Sequence, residues 1–450
     1  MKLVYGVKDK PTFGQLIPFA LQQLLAIMAA TIAVPNIIGN GMSPAAALFG
    51  AGVGTLVYLL FTKFRSPVFL GSSFAFLGSM GAAFAGAVSN AAGFAGLILG
   101  AFFAGLVYVV IAIAVKFAGT NWINFLMPAV VIGPTVAIIG LSLAGNAVGD
   151  LSTGAVKSAE GASLASPYLC IVCGLITLAV TMLCSVYGKK MVKMIPFIIG
   201  ICAGYAVAAI FTVIGNASGI DSFKVINFSL FENMKWIPDF TFVTAIKGVK
   251  DLDAAYVAAI AVAYVPVAFV VFAEHIADHK NISSIIESDL LKDPGLHRTL
   301  LGDGVGSMAG AIFGGCPNTT YGESIGCVAI SGNASIVTIL ATAILAILSS
   351  FVAPFSTFLA TIPNCVMGGV CIALYGFIAV SGLKMIQKVD LGDNRNLFVV
   401  SVVLIAGIGG LSVTFGKVTL TAVACALILG ILTNIMLKNR QPAAEETADK

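Results

Sequence analysis

The spacing of charge constrains this chain most. Its Lys and Arg residues come in short clusters, at Lys8/Lys10, Lys63/Arg65, Lys116, Lys189/Lys190/Lys193, Lys280 to Arg298, Lys384/Lys388/Arg395 and Lys438/Arg440, with apolar stretches between them. An apolar run of about 20 residues can cross a bilayer as a helix, and in lipid only helices and closed barrels satisfy every backbone polar group. The chain is 59% hydrophobic and 10% charged, whereas soluble domains carry about a quarter charged residues. There is no aqueous surface to spare, and the sequence reads as an all-α polytopic membrane protein. Its 49 glycines suit close helix crossings. Basic clusters between spans mark cytoplasmic loops, not a nucleic-acid surface.

About twelve to fourteen crossings fit the length. Fourteen, with both termini cytoplasmic, puts the basic clusters on one side. The loops Asn146 to Ser166 and Asn216 to Lys250 and the turn near Lys417 then fall on the other. The run from Leu16 to Pro35 lacks a small-residue cleavage site and reads as the first span, not a removed leader. The tail from Gln441 to Lys450 reads as disordered.

A weak repeat is visible. The first half carries GVGT (Gly52 to Thr55), SP (Ser66–Pro67) and PAVVIG (Pro128 to Gly133). The second carries GVGS (Gly304 to Ser307), CP (Cys316–Pro317) and PNCVMG (Pro363 to Gly368), in the same order. Two copies of seven crossings place the second upside down relative to the first. Transporters built this way bind their cargo at the midplane, where broken segments of both halves meet. Ser66 to Phe74 and Cys316 to Ser324 are the corresponding interrupted segments.

Glu323 lies in the second of these. Freed backbone groups survive in a membrane only in protein or at a cavity, so Glu323 is expected at a cavity. The plainer alternative is a residue capping the next helix. In AEHIADH (Ala273 to His279), Glu274 and Asp278 share one helix face and His275 and His279 the next. This helix end either lies deep or is simply solvated, with Lys280 favouring solvation of His279. For metal ligation the order of Glu274, His275, Asp278 and His279 is wrong, and Cys170 and Cys173 have CxxC spacing but no second pair and no nearby His to complete a site. Buried carboxylates suit a neutral ligand with N–H donors, and one of them can carry a proton. No nucleophile with a placed base and no phosphate loop is evident, so enzyme activity is not expected.

At these residues the chain resembles the nucleobase–ascorbate transporter family, and within it the bacterial uracil permeases, nearly end to end. Pro18 to Pro35 looks like the first helix and Leu70 to Phe76 like the short third segment. Ala273 to His279 looks like the eighth-helix motif, Asp293 to Gly304 with Pro317 to Ser331 like the tenth-segment signature and its lead-in, and Val366 to Gly376 also fits. The resemblance implies fourteen segments in two inverted repeats of seven, with short extended stretches in segments 3 and 10. It implies a core domain (segments 1–4 and 8–11) and a gate domain (5–7 and 12–14). On the chain, residues 1–145 hold the first core part and the start of the gate, 146–250 the first gate part, 251–362 the second core part and 363–440 the second gate part.

The resemblance further implies that Glu274 and Glu323 accept the N–H groups of a base, that backbone N–H groups near Phe74 and Gly322 meet its carbonyls, and that Ala30, Tyr321 and Tyr375 line the pocket. Glu274 with Asp278 would couple transport to protons, with no other cofactor. The family's first-helix QH is here Gln22-Gln23, the supporting histidine of the eighth helix is Asp278, the Asn of the tenth signature is Ser324, and Asp303 replaces a neutral polar residue. The expectation is a proton-coupled importer of a nucleobase, uracil first, in a bacterial cytoplasmic membrane, dimeric through the gate domain. A purine carrier, or an anion transporter or channel on the same fold, is the alternative.

Overall fold

The computed structural model describes residues 3–119, 121–156, 163–189, 191–415 and 418–438. The tail from 441 to 450, expected to be disordered, and the turn at Lys417 lie outside the described residues. The first half runs α1 (Phe13–Ile38), α2 (Pro44–Phe61), a strand β1 (Leu70–Ser72), α3 (Leu77–Ala85), α4 (Asn90–Ala118), α5 (Ala129–Ser142), α6 (Pro167–Tyr187) and α7 (Pro196–Ser218). The second half runs α8 (Ala254–Ile286), α9 (Leu296–Gly314), β2 (Asn318–Thr320), α10 (Gly322–Ser331), α11 (Ile336–Ser350), α12 (Asn364–Ile386), α13 (Asn394–Ile408), a hairpin of β3 (Val413–Phe415) and β4 (Val418–Leu420), and α14 (Ala422–Lys438).

Local chemistry sets the helix starts. The Ser43 hydroxyl accepts from Ala46 N with Pro44 in the first turn, Ser89 accepts from Ala92 N, and Asp253 accepts from Tyr256 N. Each satisfies an N–H that the first helical turn leaves over.

Eight helices are long and apolar enough to cross a membrane alone: α1, α2, α4, α5 with its extension to Asp150, α6, α7, α8 and α12. A ninth span would join α11 to the helix Ala353–Thr361, which is bent away from it by 84°. The fourteen expected crossings are reached only by adding α9, long enough but less apolar, and the shorter α3, α10, α13 and α14. Packing sorts the helices into two groups. α9 lies against α2 and α4, α11 against α1 and α2, and α8 against α4; on the other side α12 lies against α5 and α6, α7 against α6, and α13 against α5 and α14.

The repeat is visible as a two-fold arrangement. β1 and β2 pair antiparallel, Leu70 opposite Thr320 and Ser72 opposite Asn318. Each strand leads into a short helix, α3 after β1 and α10 after β2. The two GVG motifs cross each other on α2 and α9. A Cβ on Gly54 would lie 2.8 Å from the Gly306 carbonyl, and one on Gly306 2.7 Å from the Gly54 carbonyl. No larger residue permits that approach. The residue after each motif does the same work. Thr55 Oγ1 accepts from Leu70 N at 2.9 Å, and Ser307 Oγ accepts from Asn318 N at 3.0 Å. Each hydroxyl therefore serves the first N–H of its own half's strand.

Candidate functional site

A cavity of about 370 Å³ lies between the two helix groups, within the range of ligand pockets. Ala26 of α1, Glu274, Ala277 and Asp278 of α8, and Gly322, Glu323 and Gly326 of α10 line one side. Val136 of α5, Pro196 and Phe197 of α7, and Leu374, Phe377, Ser381 and Met385 of α12 line the other. It also reaches Lys193, an exposed residue of the short helix before α7.

Three carboxylates share this wall. Glu274, Asp278 and Glu323 are all half-buried, and no Lys or Arg among the described residues forms an ion pair with any of them. Asp278 is fixed by Thr320 of β2, whose hydroxyl donates to Asp278 Oδ2 at 2.8 Å. Glu323 stands in the first turn of α10, whose N-terminal N–H groups and dipole favour an anion. Gly322 opens the same turn and is exposed to the cavity. Three acceptor groups and a helix N-terminus thus face one space, an arrangement that can receive N–H donors and carbonyls of one planar ligand.

The other expected contact residues sit apart from this lining. Ala30, Phe74, Tyr321 and Tyr375 are all buried. Phe74 and Tyr375 meet edge to face, ring centroids 5.7 Å apart. The Tyr321 hydroxyl donates to the Ser72 carbonyl at 2.6 Å, and its ring lies where a side chain on residue 71 would be, which only Gly71 allows. Tyr321 therefore holds the strand pair together in this conformation.

Two departures from the family pattern turn out to be one feature. Gln23 Nε2 donates to Ser324 Oγ at 2.5 Å and also faces the Ser324 carbonyl at 3.2 Å. The same Ser324 hydroxyl oxygen accepts from Phe69 N at 3.1 Å. A short hydroxyl at position 324 leaves room for the longer amide of Gln23, and together they tie α1, the lead-in to β1 and α10 beside Glu323.

The solvated reading of His279 is corrected. His275 and His279 are both fully buried, with rings stacked at 4.0 Å. His279 Nδ1 faces the His275 carbonyl at 2.8 Å, and its Nε2 meets the Tyr58 hydroxyl of α2 at 2.7 Å. His275 Nδ1 meets Asp303 Oδ2 of α9 at 2.7 Å. Lys280 is solvated where the chain leaves this layer, but the residue before it packs inward against α2. The sequence signal for this pair was Asp303 itself, an acid in a Gly-rich apolar stretch. Among the described residues no group of three or more His, Cys, Asp or Glu has the arrangement of a metal site.

A family model described as "Permease family" matches residues 14–416. The "Uracil permease" of Bacillus caldolyticus is 40% identical over 447 residues, 99% of this chain and 97% of that protein. The "Uracil permease" of Escherichia coli strain K12 is 35% identical, over 96% of this chain and 94% of its own. Among solved structures, the transmembrane domain of a cyanobacterial bicarbonate transporter, BicA, superposes with a TM-score of 0.62 at 14% identity, covering 95% of this chain and all of that one. The murine Solute Carrier 26 member A9, an anion transporter in the inward-facing state, reaches 0.66 at 12% identity, covering 96% of this chain and 69% of that one. At such identity these two likenesses concern the fold alone.

Proposed function

The chain belongs to the permease family that holds the nucleobase–ascorbate transporters, and we propose that it carries uracil inward with a proton across a bacterial cytoplasmic membrane. The observation that supports this best is the set of three carboxylates on one cavity between two helix groups. Uracil presents ring N–H donors and two carbonyls. Glu323 and Glu274 accept the N–H groups, and the first N–H groups of α10, beginning at Gly322, donate to a carbonyl. Phe74 and Tyr375 form the apolar floor behind the base, and Tyr321 and Ala30 hold the strand pair and α1 in place around it.

Glu274 and Asp278, one turn apart on α8, share the coupling proton. Two carboxylates this close resist ionising together, so arrival of a neutral base between them and Glu323 is easiest when one is protonated. The cavity reaches Lys193 in a basic cluster, which the charge rule assigns to the cytoplasm, so this arrangement is the inward-facing one. Movement of the α1–α4 and α8–α11 group against the rest then exposes the carboxylates to the opposite side. A wall of three acids does not suit an anion as cargo.

The test is uptake of radiolabelled uracil into proteoliposomes under an inward proton gradient, with unlabelled xanthine as competitor. Gradient-dependent uptake that xanthine leaves untouched and Glu323→Gln abolishes supports the proposal. Competition by xanthine without uracil accumulation replaces the substrate, and gradient-independent uracil uptake removes the coupling role of Glu274 and Asp278.

A further inference from the structure

One cation shares the cavity with the three acids, and the uptake scheme gives it no task. Lys193 lines the space that Glu274, Asp278 and Glu323 also line, and no other Lys or Arg among the described residues does. It stands on the opposite helix group, in the short helix Met191–Met194 that joins α6 to α7. Local bonds hold that connection. Val192 N donates to the Lys189 carbonyl and Ile195 N to the Met191 carbonyl, each at 3.2 Å, and Pro196 starts α7 directly after. Ile195 then packs against Ala26 of α1 and Cys327 of α10. Cys327 is one turn beyond Glu323 on the face of α10 that lines the cavity, a rise of about 6 Å. Two residues before Ile195, Lys193 is thereby set at the cytoplasmic mouth, its ammonium on the order of 10 Å from the carboxylates.

None of the three acids forms an ion pair with Lys193. The cation acts across the cavity and leaves the carboxylates open to cargo. Little else charged competes with it. Apart from the Cys327 thiol of α10, the rest of the wall on α1, α5, α7, α10 and α12 carries no ionisable side chain. Lys384 is next to Met385 on α12 but does not line the space. Thr320 of β2 donates to Asp278. On the far side of α8 lie His275 and His279 and, on α9, Asp303, all buried. At a separation of this order a unit charge across a partly hydrated cavity biases a proton equilibrium about three- to tenfold.

We propose that Lys193 is a positioning residue for proton release: it faces the carboxylates only while the cavity opens inward, and so loosens the coupling proton on the cytoplasmic side alone. With Lys193 opposite, the shared carboxyl O–H of Glu274 and Asp278 gives its proton to water at the mouth. The carboxylate left behind is stabilised by the ammonium. Glu274, Asp278 and Glu323 belong to the α1–α4 and α8–α11 group, whereas Lys193 belongs to the other. When the first group moves to face outward, the acids part from Lys193 and hold the next proton more tightly. One pair of carboxylates thus has a separate proton affinity for each side of the membrane, set by a residue that need not touch the cargo.

This inference rests on the transport reading, and the experiment separates the two. Right-side-out membrane vesicles holding the full chain, wild type, Lys193→Gln or Lys193→Arg, take up radiolabelled uracil while the inner pH, set by trapped buffer, and the outer pH are varied separately. Wild-type uptake indifferent to a proton gradient refutes the transport reading, and this inference falls with it. With wild-type uptake proton-driven, Lys193→Gln should raise the inner pH of half-maximal uptake by about 0.5–1 unit, because a proton held more tightly leaves only into a more alkaline interior. The outer-pH profile should stay where it is. Exchange of labelled for unlabelled uracil at equal pH on both sides should be kept. Lys193→Arg, which retains the charge, should restore the inner-pH profile. An unmoved inner profile in Lys193→Gln overturns the proposal and leaves Lys193 a marker of the cytoplasmic side. Equal shifts on both sides, or a Lys193→Arg protein that behaves like Lys193→Gln, overturn it too. Loss of exchange together with uptake makes Lys193 part of the fold or of the binding site, which also overturns it.

Discussion

Replacing Ser324 by Ala takes away one oxygen that two buried donors use. Phe69 N loses its acceptor outright, because the hydroxyl at 3.1 Å is its partner. Gln23 Nε2 loses its contact at 2.5 Å but keeps the Ser324 carbonyl at 3.2 Å. A buried donor left without a partner costs about 1–3 kcal/mol, and only one donor is left bare, so Ser324→Ala should destabilise by about 2 kcal/mol. Gln23→Ala strands nothing, since Ser324 Oγ keeps Phe69 N, and should cost about 1 kcal/mol. In the double variant the Gln23–Ser324 bond is lost once, not twice. The two effects should therefore fall short of adding by about 1 kcal/mol, as residues in direct contact do. The assay is reversible denaturation in mixed micelles of the wild type, both single variants and the double. Strict additivity, or a Ser324→Ala protein as stable as the wild type, would refute the idea that the two departures form one joint.

Glu323→Gln keeps the shape of the first turn of α10 and removes its charge. Hydrogen bonds to charged groups are worth about 1.5–3 kcal/mol, so uracil affinity by calorimetry should fall about 10- to 100-fold, and an unchanged affinity excludes Glu323 as a base contact. Gly306→Val puts a branched side chain against the Gly54 carbonyl at the helix crossing and should yield no monodisperse protein on size exclusion; a well-folded variant would mean that α2 and α9 can part. Thr320→Val removes the donor to Asp278 and should reduce proton-driven accumulation of uracil more than equilibrium binding, whereas equal loss of both would make Thr320 a binding residue.

The large-scale reading was open in the amino-acid order because it depends on period and composition. Apolar runs between basic clusters define a polytopic helical protein, and the repeated GVG and broken segments point to the strand pair. Glu323 stood out as a charge between Gly and Ser where lipid allows none. The depth of Glu274 was not legible, because α8 runs 33 residues, longer than a bilayer requires, and an apolar run has no mark for its midpoint. The inward packing of His279 depended on α2, more than 200 residues earlier in the chain, and Lys280 next to it pointed the wrong way. The Gln23–Ser324 joint spans 301 positions, and no spacing rule connects residues so far apart. Each could be seen as unusual alone, but their contact appears only once α1 and α10 are placed.

The strand pair has one further implication. Its two ribbons are stitched to each other, stapled to their own halves through Thr55 and Ser307, and clasped by Tyr321. Chain segments from opposite halves of the sequence are thus joined into a single cartridge, with Asp278 hooked to it through Thr320. A cartridge of this kind cannot open by pulling its halves apart without exposing bare backbone to lipid. Under the transport scheme proposed above, cargo exchange would leave the cartridge whole and change only which aqueous compartment its face addresses.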